Sequence, residues 1–305
     1  MPVHLHPNVV YAAGSQVVLR DVIETSTGHR LHPAGAVGTV VASPRDRTEP
    51  YRVRMADGST HRLMHEAVDL LKAVQDVAAE TPAVDLTRYV ILDAVIGSRA
   101  YGLHSEDSDT DRRGAYLPPA ELHWSLAGAP EQIEDEREQT AYWELEKFLR
   151  LLLKANPNSL EALHSPEIVR ATPVGEELIA NRGRFLSRLV YQTVNGYAAS
   201  QFKKMEADLR NHGGVRWKHA MHLIRLLIGG RDAVRTGELR IRVEDDVRET
   251  LLSIKRGERT WDEVAAMRRK LHAEFDAALD GSPLPERGDA AWANDFLIRS
   301  RRSMA

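Results

Sequence analysis

The chain has 305 residues, of which 43% are hydrophobic and 28% are charged, and its formal net charge is −3. This composition is typical of a globular protein with about two or three domains, and any contact with nucleic acid must come from a local basic patch. The absence of cysteine excludes disulfides and thiolate metal sites and is typical of a reducing compartment. No apolar run approaches the roughly 18 residues that cross a bilayer, and the first residues do not resemble a signal peptide. We therefore expect a cytoplasmic protein with no membrane partner.

Residues 1–75 have the pattern of a small β module. Short segments of alternating polarity at 16–19, 37–41 and 51–55 are separated by turn residues, as in the strands of a small barrel. The region resembles an SH3-like or KOW-type barrel. A docking or oligomerisation role and an RNA-contacting role both remain open for it. A linker is expected over 76–87.

An apolar strand, a glycine turn and an aspartate pair come next. Residues 89–96 are almost entirely apolar and predict a buried strand, which leads into Gly97 and Ser98. Ten residues later come Asp109 and Asp111. Because residues two apart in an extended segment point to the same face, we expect both carboxylates on one side.

This combination is suited to a triphosphate and its metal ions. Mg²⁺ prefers hard oxygen ligands, and two such ions can hold the attacking and leaving oxygens of an in-line displacement. Gly97 and Ser98 can offer backbone N–H groups and a hydroxyl to phosphate. Arg99 either contacts phosphate or caps the following segment. A glycine turn or an Asp-x-Asp pair alone is usually only a turn or a solvated loop, but their order and spacing together indicate a site.

The remainder of the chain is predicted to be mostly helical. Residues 88–175 are expected to form the core that contains the glycine turn, and 176–305 a helical region. The acidic stretch 121–146 carries eight Asp or Glu against one Arg. Residues 181–242 reverse this balance, with thirteen Lys or Arg against four Asp or Glu. This part of the chain therefore offers a basic surface.

One helix within the basic region is predicted to have a cationic face. Lys218, His222 and Arg225 occupy positions i, i+4 and i+7, whereas apolar residues occupy another face. A cationic line on an apolar helix faces water, carboxylates or phosphates, because an unpaired buried charge is costly. Contact with a triphosphate or RNA and salt bridges to the stretch 121–146 both remain open.

Three segments resemble one protein family. They are GSRAYGLHSEDSDTDRRG (97–114), YWELEKFLRLLLKANPNSLEAL (142–163) and KHAMHLIRLL (218–227). The first resembles the signature of the DNA polymerase β-like nucleotidyltransferase superfamily. Together they resemble its branch associated with RNA repair, the RNA-ligase-associated predicted nucleotidyltransferases. The resemblance covers roughly 88–300 and leaves the N-terminal module outside.

The resemblance implies a mixed β-sheet flanked by helices and a helical C-terminal region, so that with the N-terminal SH3-like barrel the predicted fold class is α+β. It implies Mg²⁺, or Mn²⁺ in its place, as cofactor and an NTP as substrate. The metal would be held by Asp109 and Asp111. The NTP would be bound by residues of the glycine turn and of the cationic helix face, namely Gly97, Ser98, Arg99, Lys218, His222 and Arg225.

The superfamily usually adds a third carboxylate from a following strand. The place where we expect it, just before the apolar segment 141–145, holds Gln139. Acidic neighbours are available, and we assign the role to Glu138, which would complete the catalytic set with Asp109 and Asp111 and activate the attacking hydroxyl. The alternative is that the third carboxylate is missing.

The leading hypothesis is an enzyme, a nucleotidyltransferase that moves an NMP from an NTP such as ATP to the 3′ hydroxyl of an RNA, a tRNA or a repaired end, and releases pyrophosphate. A second hypothesis keeps the reaction but makes a protein hydroxyl the acceptor, as in toxin–antitoxin systems. A third, from a different class, is a non-catalytic RNA-binding scaffold, and Gln139 at the expected acid position favours it.

Overall fold

The structure is a computed structural model. Three internal gaps interrupt the residues that it describes, which are 10–25, 27–75, 84–106 and 108–305. The chain divides into two units, Met1–Ala83 and Val84–Ala305, and each is described by itself. Of the predicted linker 76–87, residues 76–83 lie outside the described residues. Within the described part, no helix has the length and apolar character needed to cross a membrane.

The N-terminal unit is built on an antiparallel β-sheet. Its strands are β1 (Gln16–Leu19), β2 (Ile23–Glu24), β3 (Arg30–His32), β4 (Val37–Ala42), β5 (Tyr51–Met55), β6 (Thr60–Leu63) and β7 (Val68–Leu70). A 3-10 turn, His65–Ala67, precedes β7, and the short helix α1 (Leu71–Gln75) follows it. Five strands pair antiparallel in the order β6-β5-β4-β1-β7, while β2 and β3 form a separate ribbon.

Side chains alternate along β5 as a sheet with one buried face requires. Tyr51, Val53 and Met55 are buried, and Arg52 and Arg54 are exposed. The strands at the two ends of the sheet order, β6 and β7, do not pair with each other among the described residues. The small β module predicted from the sequence is therefore present, but the closed SH3-like barrel is not confirmed.

The second unit contains a mixed β-sheet. After a 3-10 turn at Leu86–Tyr89, its strands are β8 (Val90–Val95), β9 (Arg112–Tyr116), β10 (Gln132–Asp135), β11 (Thr140–Glu144) and β12 (Ile168–Ala171). They pair in the order β10-β11-β9-β8-β12, in which β11 runs parallel to β9 and the other neighbours are antiparallel. Every residue of β8 is buried, as the apolar run predicted, and β8 lies next to the strand that follows the aspartate pair.

Helices make up most of the rest of this unit. They are α2 (Gly97–Tyr101), α3 (Ala120–Trp124), α4 (Leu145–Leu153), α5 (Pro157–His164), α6 (Pro173–Ala180), a 3-10 turn (Arg182–Phe185), α7 (Leu189–His212), α8 (Trp217–Thr236), α9 (Asp245–Lys255), α10 (Trp261–Asp280) and α11 (Ala290–Arg302). One hydrophobic core joins strand residues such as Leu92 and Ala115 to helix residues such as Ile224 and Phe275. The predicted α+β class, with a sheet flanked by helices and a helical C-terminal region, is confirmed at this level.

Helices α4 and α5 show how local sequence places the layer that covers one face of the sheet. Leu145, Phe148, Leu149 and Leu152 recur at helical spacing and are all buried along α4. Pro157 begins α5, and the side chain of Asn156 before it accepts a hydrogen bond from the Ser159 N–H. Both helices contact β9, so they pack on the central strand that directly follows the aspartate pair.

Candidate active site

The glycine turn and the second aspartate are in direct contact. Gly97 follows the buried strand β8 and has φ +73°, a backbone conformation that residues other than glycine rarely adopt. A Cβ placed on Gly97 would lie 3.1 Å from Oδ2 of Asp111. The Ile96 N–H donates to the Asp111 carbonyl oxygen at 2.9 Å. Backbone pairing therefore brings Asp111 next to the turn, and a side chain at position 97 would crowd its carboxylate.

Asp109 lies just before Asp111, on a segment from 108 to 111 that leads into β9 without a helix or a turn. That the two aspartate side chains leave the chain on the same side, as they would in extended backbone, stays a prediction. Asp111 is partly buried and Asp109 is exposed. The pair therefore presents one carboxylate beside the glycine turn and one towards solvent, an arrangement accessible to a bound ion.

Arg99 closes the loop that connects the turn to the aspartates. Its guanidinium donates to the carbonyl oxygen of Ser108 at 2.7 Å, and the Leu103 N–H donates to the carbonyl oxygen of Ser98 at 2.8 Å. Among the described residues, its Nε is buried without a hydrogen-bond partner. Arg99 thus fixes the segment just before Asp109, which agrees with a local structural role, and its contact with phosphate stays a prediction.

The residue level with Asp111 on the neighbouring strand is an amide. Thr140 of β11 pairs with Arg112 of β9 in a parallel register, so Gln139 comes next to Asp111 one step earlier. Gln139 has φ +51°, and its carbonyl oxygen accepts hydrogen bonds from the backbone N–H of Arg112 and the guanidinium of Arg113. The position where a third carboxylate was expected therefore has its backbone alongside that of Asp111, and it holds glutamine, whose side-chain amide donates to the Glu136 carbonyl oxygen at 2.7 Å.

Glu138 lies in the exposed turn between β10 and β11. Its N–H donates to Oδ1 of Asp135 at 3.3 Å, and its side chain has no recorded hydrogen bond. The turn places it one residue before Gln139. Among the described residues, no group of three His, Asp or Glu side chains forms a metal site. The assignment of Glu138 as the third acid stays a prediction.

Asp93 is a site-adjacent residue that sequence reasoning missed. It is buried in the middle of β8 and forms an ion pair with Arg112, whose Nε donates to Asp93 Oδ1 at 3.1 Å. The same guanidinium donates to the Tyr142 hydroxyl at 3.2 Å. Because successive residues of an extended segment point to opposite faces, Arg112 and Asp93 lie on the face away from Asp111. The sequence signal for the Asp93–Arg112 ion pair is the single carboxylate within the apolar run 89–96.

The three cationic residues of α8 differ in environment. Lys218 is exposed, His222 is partly buried, and Arg225 is buried. Burial, together with the charge of Arg225, lowers the pKa of His222 to about 4. The imidazole is therefore neutral near pH 7, and a contact between His222 and phosphate would be a neutral hydrogen bond.

Arg225 is paired with a carboxylate of another helix. Its Nη2 donates to Oε1 of Glu161 at 2.6 Å, and the Tyr101 hydroxyl donates to the other oxygen of Glu161. The guanidinium lies over the Tyr101 ring, 3.6 Å from its centroid. We call these three side chains the Tyr–Glu–Arg cluster. The sequence left open whether the cationic face contacts a triphosphate or RNA or forms salt bridges to the stretch 121–146. Arg225 forms a salt bridge, but its partner Glu161 belongs to α5 and not to that stretch.

The sequence model of the RNA repair pathway DNA polymerase beta family matches residues 64–299. This match covers most of the chain and includes the glycine turn, both aspartates and α8. The chain belongs to this family. The superfamily and branch inferred from the three segments are confirmed.

One curated relative adds a local similarity to the family match. A segment of 72 residues is 43% identical to the uncharacterized protein YcgL of Bacillus subtilis (strain 168), and it makes up 23% of this chain and 28% of YcgL. The chain thus aligns with less than a third of that relative's length. No solved structure gives a significant match.

Lys255 on α9 is a second residue near the candidate site that was not predicted from the sequence. Its Nζ donates to the carbonyl oxygen of Leu103 at 2.9 Å, at the start of the loop that leads to the aspartates. Burial and the nearby charge of Lys218 lower its pKa below the usual range. No recorded salt bridge joins either lysine to a carboxylate of the described residues. The Lys255 ammonium group therefore contacts the loop, and it is close enough to Lys218 on α8 for the two charges to interact.

About half of the cations in the basic stretch 181–242 form ion pairs within the protein. Arg184, Arg188 and Arg231, for example, form ion pairs with carboxylates. Exposed cations without a recorded salt bridge are concentrated between the second half of α7 and the start of α8, namely Lys203, Lys204, Arg210, Arg216 and Lys218. Of the residues that the structure describes, the exposed, unpaired cations that could contact RNA therefore lie mainly within 203–218, a shorter part of the chain than the basic stretch 181–242.

Proposed function

We propose that this protein transfers an NMP from an NTP to the 3′ hydroxyl of an RNA, releases pyrophosphate, and uses a polymerase β-like arrangement of the sheet to do so. The contact between the Gly97 turn and the Asp111 carboxylate carries this proposal. It brings a glycine turn next to a carboxylate, the kind of group that Mg²⁺ prefers, within the region matched by the family. The exposed cations at the end of α7 and the start of α8 support RNA as the acceptor.

The residues present fit Mg²⁺, and Mn²⁺ takes the same oxygen ligands. Asp109 and Asp111 supply two hard oxygen donors, and Mg²⁺ in nucleotide enzymes is usually held by one or two carboxylates with the substrate phosphates and water. No third carboxylate is required for such a set. When bound, the metal would neutralise the charge that develops on the phosphate oxygens.

The chain's own residues would position the reactants. The N–H groups of Gly97 and Ser98 and the Ser98 hydroxyl would bind phosphate oxygens, and Lys218 and Lys255 would balance the charge of the triphosphate. The RNA hydroxyl attacks the α-phosphorus, and the bond to the bridging oxygen of pyrophosphate breaks. Glu138 is proposed to accept the hydroxyl proton.

The decisive experiment offers the protein total RNA, Mg²⁺ and each labelled NTP in turn. Label at RNA 3′ ends, lost when EDTA removes the metal, is the expected result. Label on protein instead of RNA would replace the acceptor with a protein hydroxyl, as in toxin–antitoxin adenylylation. The RNA proposal would then be wrong.

Gln139 beside Asp111 favours a second candidate, a non-catalytic RNA-binding scaffold of the same family. An amide cannot act as a general base near pH 7, so a site that lacks an acid there loses one route for activating the hydroxyl. Titration calorimetry with each NTP and Mg²⁺ separates the two candidates. Binding of NTP with turnover supports the enzyme, and the absence of NTP binding supports the scaffold.

Replacing Lys218 or Lys255 with methionine is expected to raise the KM for the NTP about tenfold in each case, because a hydrogen bond to a charged group contributes about 1.5–3 kcal/mol. The lysine charge that the substitution removes is proposed to face the triphosphate. The affinity for the corresponding NMP should therefore change much less than that for the NTP. The matched control is Lys270→Met on α10, which removes an exposed lysine in a weak i,i+4 pair with Glu274. Equal effects on NTP and NMP binding would contradict the assignment.

A further inference from the structure

The Tyr–Glu–Arg cluster joins the three segments by which the family was identified. Tyr101 belongs to segment 97–114, Glu161 to 142–163 and Arg225 to 218–227. The three residues come from three helices, α2, α5 and α8, which are far apart in sequence. A single buried contact therefore connects the glycine turn with both other segments.

Stability does not explain this cluster. Both charged members are buried, and Nε of Arg225 has no hydrogen-bond partner among the described residues. Removing two charges from water costs several kcal/mol per ion, and apolar residues of similar volume often replace a buried ion pair with no loss of stability. The partner-less Nε–H adds a further cost. A role in placing neighbouring groups accounts better for the arrangement.

The cluster is well located to place the phosphate turn. Tyr101 is the last residue of α2, which begins at Gly97, so its ring and the turn belong to one short helix. Burial raises the pKa of Tyr101 far above its ordinary value, and the charge of Asp111 acts in the same direction, as expected for a neighbouring carboxylate. On α8, Arg225 follows Lys218 by two helical turns. The cluster therefore links the helix that begins at the turn to the helix that carries Lys218.

We propose that Tyr101, Glu161 and Arg225 are positioning residues that hold the Gly97–Ser98 turn at a fixed distance from Lys218 on α8. This inference rests on the proposed function for its kinetic consequences, but not for its structural ones. Arg225 acts through Tyr101 and Glu161 and does not contact the nucleotide. The NTP-binding role assigned to Arg225 from the sequence becomes a positioning role.

The first test compares Tyr101→Phe with Tyr191→Phe. Each change removes a tyrosine hydroxyl that donates to a carboxylate, Glu161 in one case and Asp276 on α10 in the other. In Tyr101→Phe we expect hydrogen–deuterium exchange to become about tenfold faster at the amides of Gly102 and Leu103, because local opening of α2 costs less. Exchange at these amides should not change in Tyr191→Phe.

Kinetics give the second readout of the same two variants. Tyr101→Phe is expected to lower kcat/KM for the NTP roughly 10- to 100-fold, since small displacements of positioned groups have effects of that size. Its affinity for RNA should equal that of the wild type, because the exposed cations proposed to bind RNA lie on α7 and not on α2. A general loss of folding would lower both, and Tyr191→Phe should change neither.

The third readout separates positioning from stability. In the triple variant Tyr101→Phe/Glu161→Met/Arg225→Met, the whole cluster is replaced by apolar side chains of similar length, so that no buried hydroxyl is left without its acceptor. Its midpoint of chemical denaturation is expected to equal or exceed that of the wild type, while kcat/KM falls roughly as far as in Tyr101→Phe. Wild-type kinetics in the triple variant would overturn the proposal, as would unchanged exchange at Gly102 and Leu103 in Tyr101→Phe.

Failure of this proposal is distinguishable from failure of the proposed function. If wild-type protein transfers no nucleotide to any acceptor, the nucleotidyltransferase proposal is wrong, yet the exchange comparison still tests whether the cluster holds α2. If the wild type is active and Tyr101→Phe keeps both its exchange rates and its kinetics, the positioning role is wrong and the activity assignment remains.

Discussion

Replacing both Asp109 and Asp111 with alanine is expected to lower the rate of nucleotidyl transfer about 10³-fold or more. The two carboxylates are the proposed metal ligands, and metal ions contribute several kcal/mol of charge stabilisation to phosphoryl transfer, with each 1.36 kcal/mol equal to tenfold in rate. Single-turnover transfer of labelled NTP to RNA under Mg²⁺ measures the effect. The double variant should fold normally, since Asp109 is exposed and Asp111 is only partly buried.

The matched control is Asp280→Ala, which removes an exposed aspartate at the end of α10. Its transfer rate should equal that of the wild type. RNA binding by the Asp109→Ala/Asp111→Ala variant should be retained or slightly strengthened, because two negative charges are removed. Transfer at the wild-type rate in this variant would exclude the proposed mechanism, whichever NTP is used.

Gly114→Ala is expected to destabilise the second unit by about 3 kcal/mol, the upper end of the usual cost of overpacking. A Cβ on Gly114 would lie 1.8 Å from the carbonyl oxygen of Leu92 on the neighbouring strand. The contact is with backbone, so no side-chain rotation can relieve it, and the pairing of β8 with β9 must shift. Chemical denaturation monitored by circular dichroism measures the loss.

Gly196→Ala provides the matched comparison. Gly196 is an exposed residue within α7, and a Cβ there meets no atom within 4 Å. Alanine should be neutral or stabilise the helix by up to about 1 kcal/mol, because glycine is a poor helix former. A Gly114→Ala variant as stable as Gly196→Ala would show that the strand pairing of β8 and β9 is not as described. Since β9 directly follows Asp111, Gly114→Ala should also lower transfer activity.

Local patterns were sufficient for much of this protein. The apolar run before Gly97 predicted a buried strand, and the helical spacing of Leu145, Phe148 and Leu152 predicted α4, since both periodicities reflect one buried face of a single element. The family was inferred from three short segments, and residues 64–299 match its model. Each of these inferences depends only on residues close together in the chain.

Patterns of composition were less informative about surfaces. The stretch 181–242 is basic in sequence, but several of its arginines are paired with carboxylates such as Asp289 and Glu286, roughly a hundred residues away. Similarly, the strands of the N-terminal module have the alternation of a small barrel, yet the described sheet is open. Alternation reports which face of a strand is buried and does not report which strands pair.

The aspartate pair, the glycine turn and the family can be identified without a structure, because each lies in a contiguous segment. Three contacts become visible only in the folded chain: Arg225 pairs with Glu161, Lys255 reaches Leu103, and the Gln139 backbone lies level with Asp111. These contacts join residues 28 to 152 positions apart. They depend on strand register and helix packing, which are set by the whole core, so no local pattern could reveal them.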